Sequence, residues 1–307
     1  MDIQGLKQYV NACIARIGYG GAAEIARKCD IASSTLSQFL NGKYGAKEET
    51  LAVTIATALN YYENSWNVVD TVTSYRQVYT AFMAAKKRSI WMCVSSRLGS
   101  GKTQSLIDLY NTSRDNSVIY LKCRKWTARK FLTKLATAMG VKVNRYMDND
   151  DLLDAIAGCA NQLADKQPVL LLDDAGKLTH SAMQTLIPLY DDTLHRLGAI
   201  VAGTETLERN IKRYVGKIEG YDEIDGRFGR NYISLMGATK KDVLAICSAN
   251  GIADAEERES IWGNMAKVQK EIPGKAKQVW FADDLRELSR MIEDKLIREQ
   301  IQKGELL

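Results

Sequence analysis

At 307 residues and 46% hydrophobic content, the chain is too apolar for a disordered tail and long enough for two or three domain cores. Its formal net charge is +5, no apolar run approaches the roughly 20 residues of a membrane span, and a basic-then-apolar signal segment is lacking, so we expect a soluble, cytoplasmic protein with no membrane partner. Six cysteines without a Cys-x-x-Cys pair, together with only two histidines, argue against a zinc site or a disulfide framework.

The first predicted unit, residues 1–62, has the pattern of a helix-turn-helix domain. Two short helical stretches flank a break at residues 30–32, and Ser33 and Ser34 are placed to cap the second helix. In domains of this design the second helix enters the major groove of DNA. The predicted DNA contacts are Ser33, Ser34, Ser37, Gln38 and Lys43, and the predicted inner seam is Ala23, Ile25, Ala26, Ile31, Leu36 and Leu40. The zero net charge of residues 1–65 leaves a protein contact open as the alternative.

Three further units are predicted: a linker at 63–75, a core at 76–236 and a helical lid at 237–307. In the core, apolar strand runs alternate with helical stretches, which is typical of a parallel sheet covered by helices. The predicted strands are residues 90–94, 118–121, 169–172, 199–202 and 232–235. In the lid, Thr239 is predicted to cap a helix over 240–250, and a second helix is predicted over 283–302. The predicted fold class is therefore α/β, preceded by a small all-α domain.

A glycine-rich turn follows the first predicted strand and ends in Gly-Lys-Thr, where a helix begins. Turns of this type cradle the phosphates of a nucleoside triphosphate with backbone N–H groups. Lys102 is predicted to reach the β- and γ-phosphates, and the Thr103 hydroxyl to bind Mg²⁺. The predicted cofactors are ATP and Mg²⁺, and the predicted loop residues are Ser96, Arg97, Leu98, Gly99, Ser100, Gly101, Lys102, Thr103 and Gln104. Ser96 stands where the usual pattern has glycine.

Residues 110–145 carry nine basic residues and a single acidic one, a net charge of +8. Such a segment is suited to binding a phosphate backbone. The alternative is a solvated helix face, because lysine and arginine are common on protein surfaces.

Two carboxylates follow the third predicted strand, at the edge of the sheet where ligands bind in such folds. Asp173 is predicted to hold Mg²⁺, and Asp174 to act as the base that orients the attacking water. Thr204, after the next strand, is placed to hydrogen-bond that water or the γ-phosphate. Alternatively, the Asp-Asp pair only ends a strand or caps a helix. Because most such ATPases have glutamate at the second position, we expect slow hydrolysis.

Three arginines are candidates for stabilising charge in the transition state. Arg230 is the first choice and Arg227 the second for a cation presented to the nucleotide of a neighbouring subunit. Arg286 in the lid could swing toward the γ-phosphate when the lid closes. The alternative for each is a surface ion pair, which for Arg286 would involve Asp283 or Glu287.

The order of these features, together with residues 39–44, 228–230 and 239–246, resembles the phage Mu transposition protein B family of AAA+ ATPases over nearly the whole chain. The resemblance implies an AAA+ fold and an ATP-dependent homo-oligomer, a helical filament on double-stranded DNA that captures target DNA and activates a transposase. It also implies a bacterial host cell and a gene of a mobile element or prophage. The family's first sensor, finger and second sensor would fall on Thr204, Arg230 and Arg286.

The same resemblance implies DNA contacts from the helix that follows the second strand, here residues 122–139, which coincide with the basic segment. The predicted contacts are Lys122, Arg124, Lys125, Arg129 and Lys130. Backbone contacts of this kind give affinity without sequence specificity. Two other functions stay open: a nucleotide-gated transcription regulator without significant turnover, and an ATPase that loads a helicase.

Overall fold

The computed structural model describes residues 3–17, 20–45, 47–59, 61, 66–113, 117–271 and 278–302. Parts of the four predicted units lie outside the described residues: 1–2, 18–19, 46, 60 and 62 of the first unit, 63–65 of the linker, 114–116 of the core, and 272–277 and 303–307 of the lid. No helix within the described ranges is both long enough and apolar enough to cross a membrane.

The described part of the N-terminal unit forms four helices: α1 Ile3–Ile17, α2 Gly21–Lys28, α3 Ser33–Leu40 and α4 Glu48–Ala58. Their apolar faces enclose a small core whose fully buried members include Leu6, Ile25, Leu36, Phe39 and Ile55. Helices α2 and α3 are the predicted helix-turn-helix pair. The chain turns sharply between them because Asp30 adopts a left-handed conformation, with φ of 54°.

Two details of the helix-turn-helix prediction are wrong. The N-cap of α3 is Ala32, with extended backbone and no side-chain hydrogen bond, so Ser33 and Ser34 are the first helical residues and not its caps. Ala23 is exposed, whereas Phe39, which was not assigned to the seam, is completely buried. The short α2 turns Ala23 outward, and the α3 apolar face passes through Phe39 because it lies three residues after Leu36.

The core is a five-stranded parallel sheet with strand order β2-β3-β4-β1-β5. Its strands are β1 Trp91–Ser95, β2 Val118–Lys122, β3 Val169–Asp173, β4 Gly198–Gly203 and β5 Tyr232–Ile233. The strand predictions agree with these bounds to within one or two residues. Register places Ser95 beside Gly203 and Lys122 beside Asp173, so the carboxyl ends of the first four strands meet at one edge.

Helices cover both faces of this sheet, and each face has its own apolar cluster. One face packs against α5 Thr73–Arg88 and α6 Lys102–Thr112. The other packs against the remaining core helices: α7 Ala128–Ala138, α8 Asn149–Gln162, α9 His180–Gln184, α10 Leu186–Asp192, α11 Glu205–Tyr214 and α12 Tyr221–Arg227. Single-turn 3-10 helices lie at Ala164–Lys166 and Ala175–Lys177. Strands β3 and β4 are buried along their whole length, as expected of a sheet covered on both faces.

The N-terminal unit is docked on the core through α6. The Tyr110 hydroxyl donates to the Leu59 carbonyl at 2.8 Å. The ring of Tyr9 lies 6.4 Å from that of Tyr110, and Tyr110 in turn packs on Tyr120 of the sheet. The four helices therefore have a continuous aromatic connection to the core.

In the C-terminal unit, the residues that the structure describes form three helices, α13 Lys240–Ala249, α14 Ala255–Asn264 and α15 Leu285–Gln302. Thr239 caps α13 as predicted, in a reciprocal capping box with Asp242. The prediction of an entirely helical segment missed an antiparallel sheet, in which β8 Gln278–Ala282 lies between β6 Ala238–Thr239 and β7 Lys267–Glu271. Strand β7 is mostly polar and exposed, so its sequence lacks the apolar run by which a buried strand is recognised.

Candidate nucleotide site and basic surface

The glycine-rich loop connects β1 to α6, and its backbone explains its composition. Gly101 is the N-cap of α6 with φ of 89°, and Gly99 has φ of 77°, conformations that other residues rarely adopt. A Cβ atom at Gly99 would also lie 2.0 Å from Asp284 Oδ1. Ser96, at the position usually held by glycine, is buried, and its hydroxyl accepts a hydrogen bond from Leu235 N at 3.1 Å. The serine therefore connects the loop to the segment after β5.

Lys102 begins α6, and its ammonium group is turned back into the loop. Nζ donates to the carbonyl oxygens of Ser96 and Arg97, each at 2.7 Å, and to Ser100 Oγ at 3.0 Å. Burial lowers the pKa of Lys102 to about 8, against the opposing effect of Asp173 and Asp174. Neutral oxygens thus hold a buried cation, and a phosphate group entering the loop would supply the missing negative charge.

Asp173 ends β3 and is almost completely buried. Its Oδ2 accepts hydrogen bonds from Thr103 Oγ1 at 2.8 Å and from the Tyr120 hydroxyl at 3.0 Å. Burial raises the pKa of this carboxyl, and the Thr103 hydrogen bond opposes that effect. The hydroxyl and carboxylate oxygens are hard ligands of the type that Mg²⁺ prefers. This pair fits Mg²⁺, which would take its other ligands from phosphate and water.

Tyr120 was missed because its partner lies 53 residues away in the chain. It is a fully buried residue on β2, the strand next to β3. Within the described residues, no group of three His, Cys, Asp or Glu side chains is placed to hold a metal ion.

Asp174 and Thr204 follow β3 and β4 and face the same space. Asp174 has a left-handed backbone, with φ of 57°, and its Oδ2 accepts a hydrogen bond from Lys177 Nζ at 2.6 Å. Thr204 Oγ1 lies 2.6 Å from Thr206 Oγ1. The Asp174 carboxylate, predicted to orient water, is therefore held by Lys177, which was not predicted as a site residue. The spacing of three residues between them is a local signal that could have indicated this pair.

A cavity of about 620 Å³ joins these groups to an apolar wall. Its polar part includes Lys102, Thr103, Lys122, Asp174, Thr204 and Arg286. Its apolar part includes Trp66, Val68, Val69, Val72, Tyr75, Ile246, Leu285, Ile292 and Leu296. A space with one phosphate-binding end and one apolar end has the shape and chemistry to hold a nucleotide, with its base against the apolar wall.

The segment at 66–72 reaches the lid through a reciprocal amide pair that sequence reasoning missed. Asn67 N donates to Asn250 Oδ1 at 2.8 Å, and Asn250 Nδ2 donates to Asn67 O at 3.1 Å. Asn67 Nδ2 also donates to Ala249 O at 2.8 Å. These bonds fasten the predicted linker to the end of α13, which fixes Trp66 at the wall of the cavity.

The start of α15 lies directly on the phosphate loop. Leu285 N donates to Gly99 O at 2.8 Å, and Arg97 forms an ion pair with Asp283 at 2.9 Å. Asp283, one of the two alternative partners of Arg286, is instead paired with Arg97 and Lys270. Arg286 lines the cavity, and its charge acts on Lys102. The lid is therefore already in contact with the loop that would hold the phosphates.

The two finger candidates differ in their surroundings. The Arg227 guanidinium forms an ion pair with Asp191 at 2.7 Å and lies 4.9 Å from the centre of the Tyr190 ring. The Arg230 side chain is 77% exposed, and its nearest carboxylate, Asp225, is 3.8 Å away. Arg230 is thus available to a neighbouring molecule, whereas Arg227 would first have to leave Asp191.

The predicted basic contacts lie on one connected stretch but not on one helix. Lys122 ends β2, Arg124 and Lys125 are exposed on the following loop, and only Arg129 and Lys130 belong to α7. The prediction of a helix from residue 122 is wrong because β2 continues beside β3 and Cys123 N still donates to Asp173 O. We define the basic row as Lys122, Arg124, Lys125, Arg129 and Lys130. Since Lys122 also lines the cavity, the row begins at the nucleotide site.

The DNA-contact candidates of the N-terminal unit lie elsewhere. Ser33, Ser34, Ser37 and Gln38 are exposed on α3, and Lys43 is exposed after it. None of these five belongs to the described lining of the nucleotide cavity. They form a separate polar surface, and their contact with DNA stays a prediction.

Comparison with known proteins agrees with this geometry. Residues 88–211 match the family model of the AAA domain, AAA_22. The matched residues include the phosphate loop, both carboxylates and Thr204. No curated protein matches the chain in sequence. The predicted α/β fold with an AAA+ domain is thereby confirmed, whereas membership of the narrower Mu transposition protein B family stays a prediction.

Solved structures similar to the chain include the following three. Cdc6p from Pyrobaculum aerophilum has 16% identity and a TM-score of 0.45, with 62% of this chain and 51% of that chain covered. The Aeropyrum pernix ORC2 protein in its ADP form has 13% identity and a TM-score of 0.43, and the alignment covers 66% of this chain and 55% of that chain. A DNA replication initiation factor has 15% identity and a TM-score of 0.45, and the alignment covers 78% of this chain and 66% of that chain. The chain thus spans between half and two thirds of these proteins, and such distant similarity assigns no activity.

Proposed function

We propose that this protein is an ATPase that binds double-stranded DNA in its ATP-bound state, without strong sequence preference, and presents that DNA to a transposase. One observation carries the nucleotide part of the proposal: Lys102, Thr103, Asp173, Asp174 and Thr204 come from separate segments and converge at one edge of the sheet. The match of residues 88–211 to the AAA domain supports the same reading.

In the proposed reaction each residue has one task. Lys102 leaves its loop carbonyls to bind the β- and γ-phosphates. Thr103 and Asp173 would hold Mg²⁺, which would supply positive charge to the phosphate oxygens. Asp174 orients water and accepts its proton as the water oxygen bonds to the γ-phosphorus. The bond from that phosphorus to the β–γ bridging oxygen breaks, and ADP leaves with the electron pair. Thr204 is placed to hydrogen-bond the water.

Completion of the site requires assembly. Arg230 is exposed, and we propose that it enters the nucleotide site of an adjacent subunit, where it stabilises charge on the transferred phosphoryl group. Arg286 would do the same from the subunit's own lid. ATP would thus join subunits to one another, which is how nucleotide binding could control a filament on DNA.

The DNA part of the proposal rests on the basic row and on charge. The row lies within the segment of net charge +8, and its exposed lysines and arginines are suited to phosphate oxygens. Such contacts give affinity that falls with salt and is insensitive to sequence. A transposase as partner is supported by the resemblance to Mu transposition protein B alone. Binding confined to an operator would favour a transcription regulator, and binding to a helicase would favour a loader.

Replacing one member of the row tests the DNA interface. We expect Lys125→Ala to weaken binding to random-sequence duplexes and to reduce the slope of log affinity against log salt by about one, because one phosphate contact is lost. Fluorescence anisotropy with ATP across a salt series measures both quantities. Lys241→Ala, which removes another exposed lysine, on α13, is the matched control and should leave the slope unchanged. An unchanged slope for Lys125→Ala would remove this residue from the interface.

A further inference from the structure

The pairing of Asp174 with Lys177 has a consequence for regulation. The Lys177 ammonium occupies Asp174 Oδ2 at 2.6 Å, so the carboxylate proposed to accept a proton from water is already engaged with a cation. Both residues belong to one tight turn, in which Lys177 N also donates to Asp174 O at 2.9 Å. The lysine side chain is 58% exposed, which leaves it accessible to a ligand from solvent.

This ion pair connects two different cavities. Asp174 lines the nucleotide cavity, whereas Lys177 lines a second cavity of about 430 Å³. The second cavity is walled by apolar and aromatic side chains, including His180, Tyr214 and Tyr221, and Lys125 contributes to its rim. A ligand in the second cavity could therefore reach the partner of Asp174 without entering the nucleotide site.

Lys125 also belongs to the basic row, and its loop is fastened to the turn that carries Lys177. Both the backbone N and the Oγ1 of Thr179 donate to Trp126 O, at 3.2 and 2.8 Å. Lys125 and Lys177 thus line one cavity from two connected segments. Two cations without a carboxylate among the cavity's described lining residues favour an anionic occupant.

We infer that Lys177 is a DNA-phosphate ligand that in the absence of DNA neutralises Asp174 and holds ATP hydrolysis at a low rate. When the DNA backbone follows the basic row into the second cavity, a phosphate takes the Lys177 ammonium in place of the carboxylate. Asp174 is then free to orient water and accept its proton. Lys177 acts through Asp174 and is therefore a positioning residue. The inference rests on the proposed function, because it assigns a regulator to that same site.

The test is steady-state ATP hydrolysis with and without random-sequence duplex DNA. We expect Lys177→Ala to raise the DNA-free rate by about tenfold, which is part of the roughly 100-fold or more that a general base contributes in full, and to bring the stimulation by DNA down to about onefold. Lys177→Arg keeps a cation beside Asp174 and should keep the low DNA-free rate and the stimulation. Lys212→Ala removes a comparable exposed ion pair with Glu208 on α11 and should resemble the wild type.

The outcomes separate this inference from the proposed function. A wild type that hydrolyses ATP faster with DNA supports the proposed function, and one that never hydrolyses ATP contradicts it, whatever the variants do. A Lys177→Ala rate without DNA that stays at or below the wild-type rate overturns the role of Lys177. So does full stimulation of Lys177→Ala by DNA, since DNA would then act through another group.

Discussion

Lys102→Ala is expected to abolish ATP hydrolysis and ATP-dependent DNA binding, and to weaken ATP binding by about 100-fold or more. The ammonium makes three hydrogen bonds inside the loop, and we propose that it exchanges these for phosphate oxygens. Charge-assisted bonds contribute about 1.5–3 kcal/mol each, so loss of one or two accounts for a change of this size. Calorimetric titration with ATP gives the affinity, and anisotropy of labelled duplex DNA gives the coupled loss.

Lys87→Ala, an exposed lysine at the end of α5, is the control for loss of a positive charge. Thermal unfolding of both variants separates a binding defect from a folding defect, which matters because Lys102 is buried. ATP-dependent DNA binding by a folded Lys102→Ala variant at wild-type strength would show that the glycine-rich loop does not control assembly.

Arg230→Ala is expected to reduce hydrolysis by about 1,000-fold in the DNA-bound oligomer, the low end of the effect of an arginine finger, and to leave ATP affinity nearly unchanged. The exposed side chain can enter a neighbouring site, and among the described residues its removal disturbs only a 3.8 Å contact with Asp225. Arg227→Ala, three residues away, should instead destabilise the fold by losing its ion pair with Asp191, with a much smaller effect on the rate per folded subunit.

Mixing two inactive variants tests whether Arg230 acts across an interface. In mixed oligomers, Arg230→Ala subunits supply an intact Asp174 and Asp174→Asn subunits supply an intact Arg230, so some sites contain both groups. We expect activity to return on mixing. Two inactive proteins that stay inactive together, although they co-assemble on DNA, would place Arg230 outside the neighbouring site.

Sequence reasoning was most successful where function depends on local backbone geometry. The Gly99 and Gly101 conformations and the strand that ends at Asp173 follow from neighbouring residues, so the loop and the sheet edge could be predicted from short patterns. The antiparallel sheet beside α15 could not, because its strands are short or polar and depend on pairing between distant segments.

Contacts between distant segments explain most of what was missed at the site. Tyr120 meets Asp173, and Asn67 meets Asn250, only because the fold brings together segments that no local pattern connects. The basic row could be predicted only in part. Its charge was evident from composition, but the division between strand, loop and helix was set by pairing of β2 with β3.

DNA binding in three nucleotide states tests the central proposal most directly. Random-sequence duplex DNA would be titrated with the full chain in the presence of ATP, ADP or no nucleotide, at several salt concentrations. We predict that the protein binds DNA tightly with ATP but not with ADP or without nucleotide. The affinity should fall steeply with salt because several phosphate contacts are involved, and it should be the same for unrelated DNA sequences. DNA affinity that does not depend on the nucleotide, or binding confined to a few sequences, would contradict ATP-dependent binding of target DNA and favour a transcription regulator.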